Sequence, residues 1–426
     1  MKMYACVKIF PFYSNSVWLA ALDRFQILFY LLMENPQRTR LESIDIVRGL
    51  IMIIMALDHV RDFFSYTAYR PDDVTQASVW LFSTRWITHL CAPTFVFLSG
   101  ISIYLYFKKV GDLKKTSVFL LARGLWLIVV DALLISFILT QGYDMTVLTV
   151  FWMIGCCMML LAGLVWLPRW LQLTGALVMI VGHDALPALG TVTADNVLLA
   201  VLHNPPFFIN EPAAILVAYS IVPWVGVMLL GYTIGTWFVE EPQKRDTLLQ
   251  RTGILALAFF FVLRFMNVYG DPSPWSIQER GGMYTVLSFF KVSKYPPSLL
   301  FLLVTLGIAC ILLAYAERIS SSVKKILIPY GRVPFFYFVV HLALISVVSY
   351  AWTYFAFRNG NQSFLYVAQR LACGLSTEFI SHVLRLVSDR SRTLFSVCLV
   401  CAVQSKEQGL VGFLFIRFYK VGVFIL

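Results

Sequence analysis

Ser43-Ile44-Asp45-Ile46-Val47-Arg48-Gly49-Leu50, then the apolar run Ile51 to Leu57, then Asp58-His59-Val60-Arg61-Asp62, is the stretch whose reading decides the fold. The segment from 44 to 64 is long and apolar enough to predict one crossing of a bilayer core about 30 Å thick. Lipid leaves no partner for backbone N–H and C=O groups, so the crossing must satisfy them itself, as a helix or in a closed barrel. The run does not alternate as a barrel strand does, which leaves the helix. Arg48 and His59 are eleven residues apart. On a helix they lie within about 20° of each other in azimuth and about 16 Å apart along the axis. Asp45, Met52, Met55 and Asp62 fall within about 100° of the same stripe. A polar track of this kind has to face protein or water.

Working outward, apolar runs of similar length recur at about 86 to 107, 117 to 139, 146 to 167, 170 to 189, 213 to 239, 252 to 269, 298 to 316 and 333 to 356. The fold class expected is therefore all-α, a polytopic transmembrane helix bundle of about nine spans. Composition agrees: 59% of residues are hydrophobic and 13% charged, against roughly 25% charged in soluble domains, and mean hydropathy is +0.76. Residues 38–356 read as one membrane domain. Residues 1–37 read as a leader or extra span, with Met33 as an alternative start, and 357–426 as an atypical tail of mixed polarity. The eight cysteines lie mostly inside apolar segments and read as small core residues, since the C-x-x-C at Cys398 has no second ligand pair for zinc.

The net charge of +11 comes from short Lys and Arg clusters between apolar runs, a distribution that speaks for membrane orientation and against a nucleic-acid partner. With the first span entering from the cytoplasm, inner loops carry twelve Lys and Arg, including Lys108, Lys109 and Arg332, and outer loops six. The amino terminus of that span is therefore expected in the cytoplasm. Two long outer loops, about 190 to 212 and 270 to 297, are rich in Pro and aromatics and read either as binding surfaces or as connectors.

Ionisable groups inside a span are costly, about 2.5 to 3.5 kcal/mol each near the centre, and mark pathways or active sites. His59 can take and return a proton at neutral pH, and Asp58 or Asp62 is placed to orient its ring. The plainer alternative is that Asp58, His59, Arg61 and Asp62 cap the outer helix end in the headgroup layer. Arg85 and His89 stand four residues apart, ahead of Pro93, which can kink a helix, and Gly100. Arg332 precedes His341 by nine residues, and a structural bond from His341 to a neighbouring helix is an equally simple reading. Asp131 and Arg123 are expected to pair with other helices. The chain lacks a G-x-x-x-x-G-K-[ST] loop, a G-x-S-x-G elbow and an H-E-x-x-H pair, which leaves nucleotide hydrolysis, serine hydrolysis and zinc proteolysis without support.

Three ordered segments carry a family resemblance: Arg48-Gly49 through Asp58-His59, His89-Leu90-Cys91-Ala92-Pro93-Thr94-Phe95-Val96-Phe97-Leu98-Ser99-Gly100, and Gly331-Arg332-Val333-Pro334-Phe335-Phe336-Tyr337-Phe338-Val339-Val340-His341. Over residues 38 to 356 the chain resembles bacterial relatives of heparan-alpha-glucosaminide N-acetyltransferase, and its Arg48 to His59 spacing fits the wider transmembrane acyltransferases. The resemblance implies acyl transfer across the membrane, from cytoplasmic acetyl-coenzyme A or another acyl-coenzyme A to an amine or hydroxyl, that of a sugar first among them, on the opposite side. It implies an essential histidine near the outer end of the first conserved span, the position of His59, with Asp58 or Asp62 beside it. Arg48, Arg85, His89, Arg332 and His341 become donor- or substrate-binding candidates. No metal is expected. The partners expected are membrane lipids and a sugar or glycoconjugate acceptor, a homodimer is compatible with them, and the location is a bacterial inner membrane. The resemblance departs at His89, where the lysosomal member carries an acidic residue, and in the tail after 357, which lacks a further long span. The rival reading is a small-metabolite transporter using the same polar track.

Overall fold

In a computed structural model the described residues are 41–64, 69–143, 145–185, 201–203, 207–209 and 214–357. The expectations placed on residues 1–37, on the tail and on most of the 190 to 212 loop lie outside them. In chain order the elements are α1 (Glu42–Phe64), α2 (Val79–Thr88), α3 (Cys91–Val110), α4 (Leu113–Val130), a π turn (Asp131–Ile135) running into a last helical turn (Ser136–Thr140), β1 (Thr146–Leu148), α5 (Val150–Leu164) and α6 (Arg169–Gly182). They continue with β2 (Phe207–Ile209), β3 (Ile215–Val217), α7 (Val222–Ile234) with a 3-10 extension (Gly235–Val239), α8 (Pro242–Met266), α9 (Gly282–Phe290), α10 (Leu299–Tyr315), α11 (Ser321–Arg332) and α12 (Pro334–Phe357).

All nine apolar runs fall on helices, and six helices among the described residues combine the length and composition for a crossing: Val79–Val110, Leu113–Thr140, Val222–Val239, Pro242–Met266, Leu299–Arg318 and Pro334–Trp352. Of the other three runs, α5 and α6 have 15 and 14 residues, about 22 Å of rise against a core of about 30 Å. The remaining one, α1, has 23 residues and the length to cross, but it is heavily charged. Burial sorts the helices into two layers. In the Val222–Val239 span 78% of the apolar window is buried inside the protein, whereas in Pro242–Met266 only 22% is. Helix α8 instead exposes Ile254, Leu255, Phe259, Val262 and Phe265, and α4 exposes Val118, Leu121, Leu125 and Val129, the faces a bilayer would cover.

Sequence sets several local breaks. The run expected to be one helix from 86 is divided at His89-Leu90, because Pro93 has no N–H and its ring displaces the carbonyl four residues back, that of His89. Gly111 closes α3 at φ 67° and Asp112 caps α4 by accepting from the Lys115 N–H. Asp131 reaches across from the π turn to accept from the N–H and, at 2.6 Å, the hydroxyl of Thr149, so its carboxylate caps the start of α5. Arg123 lies over the Phe119 ring of its own helix. A small sheet, order β1-β3-β2, has β1 parallel to β3 and β2 antiparallel to it. It occupies the starts of the runs assigned to spans from 146 and 213, so those helices begin at Val150 and Val222 instead.

The segment 270 to 297 is folded and pinned. It contains α9, whose Leu287 packs with Val74 and Phe82. Arg264, 1% exposed at the end of α8, donates to the carbonyls of Phe289, Ser273, Ser288 and Lys291. A guanidinium is well matched to this place, because the last carbonyls of α9 have no partner in their own helix. Asp271 accepts from the Ser273 and Ser293 N–H groups and the Ser298 hydroxyl.

Candidate active site

Helix α1 carries both ends of the site. Its uninterrupted span from Glu42 to Phe64 keeps Arg48 and His59 in the helical relation expected of them, about 16 Å apart along the axis. The His59 Nδ1 lies 2.8 Å from His341 Nε2, and His341 Nδ1 lies 2.6 Å from the Tyr337 carbonyl one turn earlier in α12. The two imidazoles are nearly parallel at 12°, Tyr337 stacks on His341 at 4.7 Å, and Phe338 meets both imidazoles edge-on at 5.4 and 5.6 Å. His341 is buried and His59 partly so.

Beside this pair the carboxylate of Asp58 is occupied by other groups. It accepts from Arg61, from Arg85 at 3.1 Å and from the Thr88 hydroxyl at 2.8 Å. Its oxygens thus face two guanidiniums and a hydroxyl, and the hydrogen-bond partner that orients the His59 ring is His341. Asp62 pairs with Arg61 at 3.3 Å. Breaking the buried Asp58–Arg61 pair from one side strands a charge, a loss of roughly 3 to 5 kcal/mol. Further out, Arg70 grips Asp72 through two hydrogen bonds of 3.0 and 2.9 Å. Burial alone would raise the Asp72 carboxyl, but Arg70, with Arg85 and His89 behind it, holds it well below the usual carboxylate range.

His89 stands at the C-cap of α2, one turn after Arg85 and ahead of the Pro93 break. It is 4% exposed, meets the Phe301 ring edge-on, and its Nδ1 has no hydrogen-bond partner. At the opposite end of α1, Arg48 donates to Ser102 at 3.0 Å and to the Gly331 carbonyl, and Asp45 lies 3.7 Å from both Arg48 and Arg332. Arg332 is half exposed there, and Lys108 and Lys109 are exposed at the end of α3. The structure thus gathers Asp58, His59, Asp62, Arg85 and His341 at one end and Arg48 and Arg332 at the other.

Sequence reasoning did not single out four residues at the His59 end. Thr88 and Tyr337 act through a hydroxyl and a main-chain carbonyl, which no spacing announces. Lys294, 7% exposed, lies over the Tyr295 ring at 5.2 Å, within electrostatic reach of His59, His89 and Cys91. Burial would raise the Tyr295 phenol, yet Lys294 and Arg85 hold it below its ordinary value. A lysine directly ahead of Tyr-Pro-Pro in a long aromatic loop was the available signal. Among the described residues no group of three or more His, Cys, Asp or Glu side chains is arranged to hold a metal ion.

A family model described as heparan-alpha-glucosaminide N-acetyltransferase, catalytic, matches residues 40–266, just over half of the chain. No curated protein matches the chain. The matched stretch holds Arg48, Asp58, His59, Asp62, Arg85 and His89, while Arg332 and His341 lie beyond it.

Proposed function

The chain belongs to the heparan-alpha-glucosaminide N-acetyltransferase catalytic family, a family of membrane acyltransferases, and on that basis we propose transfer of an acyl group, acetyl first among them, from cytoplasmic acyl-coenzyme A to an acceptor on the opposite face. The acceptor is an amine or hydroxyl of a sugar or glycoconjugate. The membrane is the inner cell membrane, and the amino-terminal end of α1 faces the cytoplasm. One observation carries the reading: α1 holds at one end a histidine locked to a second histidine, and at the other an arginine beside exposed basic residues.

In this reading Arg48, Arg332, Lys108 and Lys109 draw the donor's phosphates to the cytoplasmic end. The pantetheine arm lies along the track, and the thioester reaches the level of His59. The acceptor nitrogen or oxygen attacks the thioester carbonyl as His59 takes its proton. The C–S bond then breaks, and the departing thiolate recovers that proton, giving amide or ester and free coenzyme A. Arg85 and Lys294, both at this end, favour negative charge developing on the carbonyl oxygen.

The test is transfer in proteoliposomes loaded with radiolabelled acetyl-coenzyme A, with glucosamine outside. Label should appear in external N-acetylglucosamine while coenzyme A stays inside. Folded His59→Ala protein should lose about 10² to 10⁴-fold in rate. Full activity in that variant removes His59 from the chemistry, and passage of intact glucosamine without coenzyme A would replace the enzyme by a transporter.

A further inference from the structure

We propose that His341 is a positioning residue that fixes the tautomer of His59, leaving the Nε2 of His59 as the bare nitrogen that meets the acceptor. This rests on the acyl-transfer reading for its purpose, though not for its geometry. A carbonyl oxygen only accepts hydrogen bonds, so the 2.6 Å contact with the Tyr337 oxygen requires a proton on His341 Nδ1. A neutral His341 then presents a lone pair at Nε2. The 2.8 Å contact with His59 Nδ1 is a hydrogen bond only if His59 carries its proton on that nitrogen. The neutral pair therefore has one arrangement, Nδ1–H of His59 to Nε2 of His341 and Nδ1–H of His341 to the carbonyl, and the free lone pair of the chain sits on His59 Nε2.

The opposite direction would need a doubly protonated His341. Among the described residues no carboxylate forms an ion pair with His341, and its ring neighbours are Tyr337 and Phe338. Aromatic packing holds the ring planes, and turning either imidazole over would put a ring carbon where a nitrogen now makes its hydrogen bond. When His59 Nε2 accepts a proton from the acceptor, the existing bond from its Nδ1–H to His341 Nε2 stabilises the imidazolium, and loss of the Nε2 proton to the departing thiolate restores the starting tautomer.

Two measurements test the assignment. The first is nitrogen-15 NMR of histidine-labelled protein in bilayers, with His59→Ala used to identify the His59 signals among the chain's six histidines. A protonated Nδ1 and bare Nε2 on His59 are expected, and the reverse tautomer overturns the proposal whether or not the protein transfers acyl groups. The second compares His341→Phe, which keeps a flat ring but removes the acceptor, with His341→Gln, whose side-chain oxygen can still accept from His59. His341→Phe should lower kcat by about 10² to 10⁴-fold, the cost of a mis-set base, with little change in KM for acetyl-coenzyme A. His341→Gln should recover most of that loss. Equal rates for both variants and wild type would refute the positioning role, and so would equal losses in both when size-exclusion profiles and KM match wild type. A wild-type protein with no transfer at all refutes the function, and the NMR result alone then decides the tautomer.

Discussion

Replacing Gly331 by alanine puts a methyl group where the backbone of α1 already stands. A Cβ at Gly331 would lie 2.7 Å from the Asp45 carbonyl carbon and 3.0 Å from its Cα, closer still to the oxygen, and one at Gly49 would lie 2.8 Å from the Leu327 carbonyl carbon. These neighbours are main chain, so no side-chain rotation relieves the overlap. Ordinary contact begins at 3.4 Å, and α1 and α11 must therefore part by at least about 0.7 Å. Overpacking of this kind costs about 1 to 3 kcal/mol. The displacement also reaches the chemistry, because α12, with His341, starts two residues after α11 ends, and misplacing a catalytic group by about 1 Å can cost about 10²-fold in rate. Gly331→Ala should lower the Tm of detergent-purified protein by several degrees and cut transfer at least about tenfold. Gly163→Ala is the matched control: it lies in α5 with nothing within 4 Å of the new Cβ, so it should be neutral or stabilising by up to about 1 kcal/mol. Wild-type Tm and rate in Gly331→Ala would refute the backbone contact between α1 and α11.

Arg264→Met should release the 270 to 297 segment, because four carbonyls lose their donor at once; limited proteolysis of vesicles exposing that side should cut there in the variant and not in wild type. Asp131→Leu strips the Thr149 cap and should destabilise by about 1 to 3 kcal/mol, whereas Asp131→Asn, which still accepts, should cost less; thermal melts in detergent read both. The Asp72 carboxyl is depressed in the folded protein, so its contribution to stability is complete above its unfolded value of about 3.9 and fades as pH falls below it toward the folded value. Asp72→Asn should flatten the fall in Tm between about pH 5 and 3, and an unchanged slope would show that the Arg70 pair contributes nothing.

What was legible followed from the solvent. Long apolar runs report helices because lipid forces backbone pairing within the segment, and each of the nine runs does fall on one. The alignment of Arg48 with His59 was equally readable, since it depends only on the helical repeat within one element. Contacts between distant elements were not. The pairing of His59 with His341 joins residues 282 positions apart, and nothing local to either histidine reports the other. Proximity in sequence suggested Asp58 as the orienting group, but residues one apart on a helix point about 100° away from each other. Asp58 accordingly faces Arg85 and Thr88 on α2, while His59 faces α12. The strands at 146 and 215 were hidden because three apolar residues beside a helix have no period of their own.

The helix that bears the site is also one of the three whose length or polarity sets them apart from the six plain crossings. Glu42, Asp45, Arg48, Asp58, His59, Arg61 and Asp62 give α1 too many polar groups to stand against lipid. It can be accommodated where other helices satisfy those groups, and partners of that kind are Lys324 for Glu42, Arg332 for Asp45, Ser102 and Gly331 for Arg48, Arg85 and Thr88 for Asp58, and His341 for His59, while Arg61 pairs with Asp58 and Asp62 of α1 itself. The partners come from α2, α3, α11 and α12, so the polarity of α1 specifies which helices surround it. The groups a transferase needs across the bilayer and the groups that fix the packing of the bundle are thus largely the same. The bond between His59 and His341 serves both ends, so His341→Gln, which keeps an acceptor for His59, should retain activity that His341→Phe loses.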